Sequence, residues 1–188
     1  MTDWLEVWER KGRAETTDLR TLDGFENTTI DPQDVASQIV AILGLGPGVS
    51  VLEVGCGAGM LAQFIPGDYT GVDYSPAMVK KFLELQPGKA ARVSPANTLP
   101  FADRSFDKVF AFSVFQYFPD AAYADAAIAE MKRVAREAVF IGDLPERSHS
   151  PDHRLYDRAR FTGWQMTPGF YNPDRFNALL RPGAPARP

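Results

Sequence analysis

Short apolar segments alternate with segments of helical periodicity along most of the chain. Residues 49–54 (VSVLEV) and 107–112 (DKVFAF) form continuous apolar runs, which predict buried strands. Apolar residues at helical spacing cover 31–43 and 121–135, and Ser75-Pro76 is typical of the start of a further helix. Four more strands are predicted at 69–72, 91–93, 138–142 and 174–180.

Strands that alternate with helices are typical of βαβ units, whose crossovers are right-handed. The pattern therefore predicts an α/β fold with a doubly wound, mostly parallel, Rossmann-like sheet and helices on both faces. Residues 161–171, together with 174–180, are expected to add an antiparallel C-terminal edge. Ligands of such sheets bind beyond the carboxyl ends of the strands, so the chemistry is expected there.

The 188 residues favour a main domain over 31–180, preceded by a lid or cap segment over 1–30 and followed by a flexible tail over 181–188. The net charge of −4 and the pI of about 5.2 argue against a nucleic-acid partner. The lone Cys56 excludes an internal disulfide. Because acidic residues interrupt the N-terminal segment and no apolar run approaches about 18 residues, we expect a cytoplasmic protein with no membrane partner.

The first predicted strand runs into a loop with three glycines in alternation, Gly55, Gly57 and Gly59, just after Glu53. Such a loop turns sharply and lets a ligand approach the backbone, and a following helix N-terminus would favour an anionic group. A plain tight turn is one alternative. A dinucleotide site is another, because G-x-G-x-x-G is matched from Gly57 if the last position accepts Ala62. Asp73, twenty residues beyond Glu53, suits the ribose of either kind of ligand.

Four further segments accompany the E-x-G-x-G-x-G string, in the order 71–79 (GVDYSPAMV), 99–107 (LPFADRSFD), 113–118 (SVFQYF) and 130–134 (EMKRV). Together they resemble the class I methyltransferases that use S-adenosylmethionine (SAM), over about Val51 to Asp143. The resemblance implies that residues 31–180 form a SAM-binding methyltransferase domain. The chain departs from the family in having Pro95 where an acidic residue often reads the adenine, and AREAV (135–139) where a P-G-G stretch is common.

The resemblance also assigns roles to single residues. Glu53, Gly55, Gly57 and Gly59 would hold the methionine part of SAM, and Asp73 its ribose. The remaining cofactor contacts would be made by Tyr74 and Met78 flanking the adenine, by Ala96 and Asn97 at its edge, and by Ser113 and Phe115 beside the methyl group. Tyr117, in the same segment as Phe115, is a candidate substrate contact.

Outside the shared segments, Trp4 and Trp8 stand one helical turn apart in residues 4–11. They would either pack on the core or form part of a lid over cofactor and substrate. His149, His153 and Asp143 follow the fifth predicted strand and are candidates for a general base, the alternative being that the histidines are exposed loop residues. No metal site is predicted, because two histidines four apart lack a third ligand.

The sequence thus predicts methyl transfer from SAM to an oxygen or nitrogen of a small-molecule acceptor. An NAD(P)-dependent oxidoreductase and a non-catalytic SAM-binding regulatory protein are the alternatives. The small acceptor is inferred from the short chain, which offers little surface for a macromolecule.

Overall fold

The computed structural model of the chain describes residues 2–147 and 151–181. Its contacts group the chain into two compact units, residues 1–96 and 97–188. No helix within the described residues has the length and apolar character needed to cross a membrane. Apart from Arg181, the predicted tail over 181–188 lies outside the described residues, as does His149. The division between a lid (1–30) and a main domain stays a prediction.

The first unit contains four helices and three strands. Their bounds are α1 Trp4–Gly12, α2 Leu19–Leu22, α3 Pro32–Leu43, β1 Ser50–Val54, β2 Asp68–Asp73, α4 Pro76–Leu85 and β3 Ala90–Val93. Strand β2 lies between β1 and β3 and pairs with both in parallel. The parallel βαβ pattern predicted from the alternation is therefore confirmed in this unit.

Capping residues set the helix boundaries as the sequence predicted. The Asp31 carboxylate accepts a hydrogen bond from Gln33 N ahead of Pro32, and α3 ends at Gly44 in the left-handed conformation. Ser75 caps α4 by accepting from Met78 N. Helix α2 was not predicted; it is a single turn capped by Asp18, whose carboxylate accepts from Arg20 N and Thr21 N.

The connection from β1 to β2 differs from the expected one. Instead of an α-helix after the glycine loop, the structure has one 3-10 turn, Ala62–Phe64. Pro66 explains why the turn ends at Phe64, because a proline disfavours the helical conformation at the residue before it. Ile65 is accordingly extended with ψ 118°. The loop therefore lacks the helix N-terminus that was expected to attract an anionic ligand group.

The described residues of the second unit form one long helix and four strands. Their bounds are β4 Phe106–Phe112, α5 Ala121–Val134, β5 Ala135–Pro145, β6 Gln165–Pro168 and β7 Arg175–Leu180, with 3-10 turns at Phe115–Tyr117 and Arg158–Phe161. Strands β4 and β5 pair in parallel, whereas β7 pairs with both β5 and β6 antiparallel. The predicted antiparallel C-terminal edge is confirmed, and β5 follows α5 without an intervening residue, as the missing P-G-G stretch suggested.

A network around Arg133 explains why the segments 99–107 (LPFADRSFD) and 130–134 (EMKRV) occur together. The Arg133 guanidinium donates to the carbonyls of Leu99 and Phe101 at 3.1 and 2.8 Å. It also donates to the carboxylates of Glu130 and Asp103 at 2.7–2.8 Å, and Glu130 accepts from Leu99 N at 2.7 Å. These motif residues tie the segment before β4 to the end of α5, so their role is structural.

We expect Arg133→Met to lower the free energy of unfolding by about 1.5–3 kcal/mol, because several charge-assisted hydrogen bonds are lost together. Urea unfolding is the measurement. Arg136→Met is the matched control, since Arg136 is partly exposed and pairs with Asp107 at the surface, and its replacement should cost roughly 0–1 kcal/mol. Equal losses in the two variants would contradict a structural role for Arg133.

Candidate functional site

The glycine loop and Asp73 lie together at one edge of the first unit. Strands β1 and β2 are parallel and Val54 pairs with Val72, so the loop after β1 and the end of β2 meet at the carboxyl edge of the sheet. This is the edge at which open α/β sheets bind ligands. The geometry therefore brings Glu53, Gly55, Gly57, Gly59 and Asp73 to one place, as predicted.

Glu53 is buried at the end of β1 and accepts a hydrogen bond from the Tyr69 hydroxyl at 2.5 Å. Burial raises the pKa of Glu53 to about 8, against the effects of Tyr69 and of Lys89. Lys89 lies over the Tyr69 ring and donates to the carbonyl of Ile65. Glu53 is thus a buried carboxyl group with a pKa of about 8, close to neutral pH.

Asp73 organises the backbone on both sides of it. Its carboxylate accepts from Gly57 N at 3.1 Å and from Ser75 N at 2.9 Å. Burial raises the pKa of Asp73 to about 6, although these N–H groups favour the charged form. A carboxylate has about four acceptor sites, so Asp73 can hold the loop and still accept from a ligand hydroxyl.

A second carboxylate, Asp23, binds the glycine loop from the N-terminal segment. Its two oxygens accept from Ala58 N at 2.6 Å and from Met60 N at 2.8 Å. Burial raises the pKa of the Asp23 carboxyl to about 7, and the nearby Asp73 adds to that rise. Sequence reasoning missed Asp23 because it lies 34 residues before Gly57 in a segment with no family motif; its only local signal is its place at the end of a helical turn.

The chain itself satisfies every backbone N–H group from residue 55 to residue 60. Gly55 N and Cys56 N donate to the carbonyl of Val72, and Gly59 N donates to that of Cys56. Asp73 and Asp23 accept from the other three. The expectation of free N–H groups for an anionic ligand is therefore wrong for this structure, and the loop presents carboxylate oxygens instead.

The glycines are required for reasons other than a ligand. A Cβ on Gly57 would lie 2.4 Å from an oxygen of Asp23, and one on Gly59 would lie 2.6–3.0 Å from the side chains of Gln86 and Phe82. Both residues also have positive φ, at 53° and 97°. The loop therefore needs glycine to admit Asp23 and to pack on α4.

Met78 and Trp8 belong to an apolar cluster beside the loop. Met78 is fully buried against Leu22 and Ala58, and Trp8 packs on the same cluster. The packing interpretation of Trp8 is supported, whereas its role in a lid stays a prediction, as does that of the half-buried Trp4. The adenine contacts assigned to Met78, Tyr74, Ala96 and Asn97 also stay predictions.

In the second unit, Ser113 follows β4 directly, and Asp143 lies near the end of β5, which is the parallel neighbour of β4. Both have positive φ, 57° and 64°, which costs a non-glycine residue roughly 1–2 kcal/mol. Ser113 N donates to the carbonyl of Gly142, and Asp143 N donates to the side chain of Asn177 at 3.0 Å. Strained backbone that neighbouring groups hold in place is typical of functional sites.

Asp143 is a buried carboxyl group that Arg175 contacts through one of its two oxygens. Its Oδ2 accepts from Arg175 Nη1 at 3.0 Å, and the same guanidinium donates to the Asp143 carbonyl and to Gln116. Among the described residues, Oδ1 has no hydrogen-bond partner. Burial raises the pKa of Asp143, while Arg175 and the hydroxyls of Ser113 and Tyr171 act in the opposite direction. Arg175 and Gln116 were missed because their partners are distant in the sequence.

The other candidates of this unit are packed in different ways. Phe115 is buried, and its ring contacts those of Phe118 and Tyr156. The rings of Tyr117 and His153 meet edge to face with centroids 5.5 Å apart. Within the described residues, no group of three or more His, Cys, Asp or Glu could hold a metal ion. The roles of Phe115, Tyr117 and His153 in the reaction remain predictions.

Comparison with known proteins agrees with this geometry. Residues 52–141 match the family model described as "Methyltransferase domain". The match covers just under half of the chain, so these residues are similar to a methyltransferase domain. The matched region contains Glu53, the glycine loop and Asp73, and it continues to Ile141 within β5. These are the parts that carried the resemblance.

Individual relatives extend the comparison of the methyltransferase domain. The chain is 35% identical to the 2-methyl-6-phytyl-1,4-hydroquinone methyltransferase of Synechocystis over 52% of its own length and 33% of that protein. It is 27% identical to the O-methyltransferase resE of Aspergillus sclerotiorum over 93% of its length and 64% of that protein. The chain thus spans only about a third of the first relative and just under two thirds of the second.

A solved structure confirms the fold of the methyltransferase domain. Magnesium protoporphyrin IX methyltransferase from Synechocystis, solved with bound SAH, matches with a TM-score of 0.64 and 18% identity over 95% of this chain and 93% of that one. The Rossmann-like α/β class predicted from the sequence is therefore confirmed.

The pKa of Glu53 leads to a prediction about stability. Because its folded-state pKa of about 8 lies above the unfolded value of about 4.3, the folded protein keeps a proton that the unfolded chain releases between these values. We expect the wild-type domain to lose stability as pH rises from 5 to 8, and Glu53→Gln to lose roughly 1–4 kcal/mol less over that range.

Urea unfolding at several pH values measures this difference. Glu84→Gln is the matched control, because Glu84 is half exposed on α4 and its variant should follow the wild-type slope. If the Glu53→Gln curve ran parallel to that of wild type, the buried Glu53 would not be the group that titrates.

Proposed function

We propose that this chain is a SAM-dependent methyltransferase that acts on a small-molecule acceptor. The observation that carries the proposal is the charge of the glycine loop. Its N–H groups are all used within the chain, and the carboxylates of Asp23 and Asp73 lie on it. Such a surface suits a positively charged ligand, and SAM carries a sulfonium and an ammonium group.

The same observation disfavours a nicotinamide dinucleotide. A dinucleotide places its diphosphate on free N–H groups at a helix N-terminus after the loop. Here the loop is followed by a single 3-10 turn, and two carboxylates occupy its N–H groups. A diphosphate would have to approach these carboxylates without a compensating donor from the loop.

The residues of the first unit fit the parts of SAM by their chemistry. Asp73 retains acceptor capacity for the ribose hydroxyls, and Glu53 with the loop would hold the methionine part. The family resemblance assigns Tyr74, Met78, Ala96 and Asn97 to the adenine, and Ser113 and Phe115 to the methyl group. When bound, SAM supplies an electrophilic methyl group, and the protein aligns the acceptor with it.

The acceptor is proposed to be a small molecule with a hydroxyl or amino nucleophile. The named relatives act on a hydroquinone and a porphyrin, and one is an O-methyltransferase. The net charge of −4 gives no support to a nucleic-acid acceptor. A cytoplasmic location belongs to the same proposal, since the lone buried Cys56 is compatible with a reducing compartment.

Asp143 is the proposed general base. Arg175 holds Oδ2 in place, which leaves Oδ1 to accept a hydrogen bond, and then a proton, from the acceptor's O–H or N–H group. Burial raises the pKa of Asp143 and so makes it a stronger base than an exposed aspartate. His153 is the alternative base from the sequence analysis, and its half-buried ring packs on Tyr117.

Calorimetry with SAM, its demethylated product SAH and NADH tests the identity of the ligand. We expect binding of SAM and SAH and none of NADH, because the loop offers acceptors instead of free donors. Binding of NADH without SAM would reject the proposal. A turnover assay with labelled SAM against phenols, quinols and amines then separates an enzyme from a regulator that only binds SAM.

Replacement of Asp143 tests the base. Asp143→Asn should lower the turnover rate by about 10²- to 10⁴-fold while SAH affinity stays within about threefold. Asp125→Asn, on the exposed face of α5, is the control for loss of a carboxylate. If His153→Gln abolishes turnover and Asp143→Asn does not, the base is His153.

A further inference from the structure

The N-terminal segment positions a carboxylate directly on the glycine loop. Asp23 Oδ1 lies too close to Gly57 for a Cβ to fit there, and its two oxygens accept hydrogen bonds from Ala58 N and Met60 N. Asp23 itself lies outside the segments that carry the family resemblance. As a whole residue, Asp23 is partly buried.

The N-terminal segment that carries Asp23 is held by hydrogen bonds to α4 and its cap, and by one within the segment. Glu9 accepts from Ser75 Oγ at 2.7 Å and from Ala77 N at 3.0 Å. Lys81 donates to the carbonyl of Ala14, and Lys11 donates to that of Thr21. The Asp23 carboxylate is therefore held on the loop by a docked segment and is not a chance surface contact.

The hydrogen-bond capacity of Asp23 exceeds what the loop uses. A carboxylate has about four acceptor sites, and the two loop N–H groups take one on each oxygen. The remaining capacity lies beside Asp73 and Glu53, both of which disfavour further negative charge there. A cationic donor would satisfy the free acceptor sites and offset the repulsion among the three carboxyl groups.

We propose that Asp23 binds the α-ammonium group of the cofactor's methionine part. This inference rests on the proposed function, because it needs SAM or SAH as the ligand. It makes the docked N-terminal segment part of the cofactor site. It also predicts that the loop discriminates by the amino group of the ligand more than by its carboxylate, for which the loop has no free N–H group.

Ligand analogues test the proposal on the wild-type protein. SAH has the amino group and the carboxylate but no sulfonium charge, so it isolates the contact of interest. We expect desamino-SAH to bind about 10- to 100-fold more weakly than SAH, as for loss of a charge-assisted hydrogen bond. Decarboxylated SAH should lose less affinity than desamino-SAH. Equal binding of SAH and desamino-SAH would overturn the proposal.

The variant Asp23→Asn tests whether Asp23 is the residue that recognises the amino group. In this protein SAH and desamino-SAH should bind alike, within about threefold, while 5′-methylthioadenosine, which lacks the amino-acid part, binds as to wild type. Asp18→Asn is the matched control, because Asp18 caps α2 without touching the loop and should keep the wild-type preference.

Other outcomes separate the possible failures. If Asp23→Asn tightens SAH binding but not that of decarboxylated SAH, Asp23 competes with the ligand's carboxylate and the proposal is wrong. An unchanged preference for SAH over desamino-SAH in the variant also rejects it. Failure of the wild-type protein to bind SAH at all would instead reject the proposed function on which the inference rests.

Discussion

Carboxylates of the same chain bind the backbone N–H groups of the glycine loop, and the rest of the first unit is arranged around this interaction. Asp73 reaches Gly57 from the neighbouring strand, and Asp23 reaches Ala58 and Met60 from the N-terminal segment. Only a single 3-10 turn follows the loop. Without these acceptors, the loop's N–H groups would be left unsatisfied, which costs about 1–3 kcal/mol for each buried group. The loop conformation, the docking of α1 and the charge of the site therefore depend on one another.

This arrangement concentrates negative charge at the carboxyl edge of the sheet. Burial raises the pKa of Glu53, Asp23 and Asp73 to about 8, 7 and 6, so part of the charge is neutralised by protons near neutral pH. A cationic ligand can take over the role of those protons. The physical link between the fold and the proposed methyl transfer is thus an acceptor-lined loop that suits a sulfonium cofactor.

Much of this fold could be predicted from local patterns, because apolar runs, capping residues and prolines act within a few residues. The strand before the glycine loop, the helix after Ser75 and the antiparallel edge at β7 were found in this way. The 3-10 turn before Pro66 differs from the expected helix, because the proline disfavours a helical conformation at Ile65.

The site was predictable only where a motif spans it. Glu53 and Asp73 belong to segments with a recognisable order, whereas Asp23, Arg175 and Gln116 meet their partners across 32 to 59 residues. Spacing along the chain contains no information about such contacts, since tertiary packing alone creates them. The sequence also predicted an anionic ligand for the loop. The structure shows instead that the loop's N–H groups donate within the chain and that carboxylate oxygens lie on it.

Amide hydrogen exchange by NMR on the ligand-free protein tests the central claim most directly. If carboxylates of the chain hold the loop, the amides of Gly57, Ala58 and Met60 exchange slowly, and Asp23→Ala removes the protection of Ala58 and Met60 but not that of Gly57. Exchange of these amides at the rate of an unstructured peptide in the wild-type protein would contradict the account.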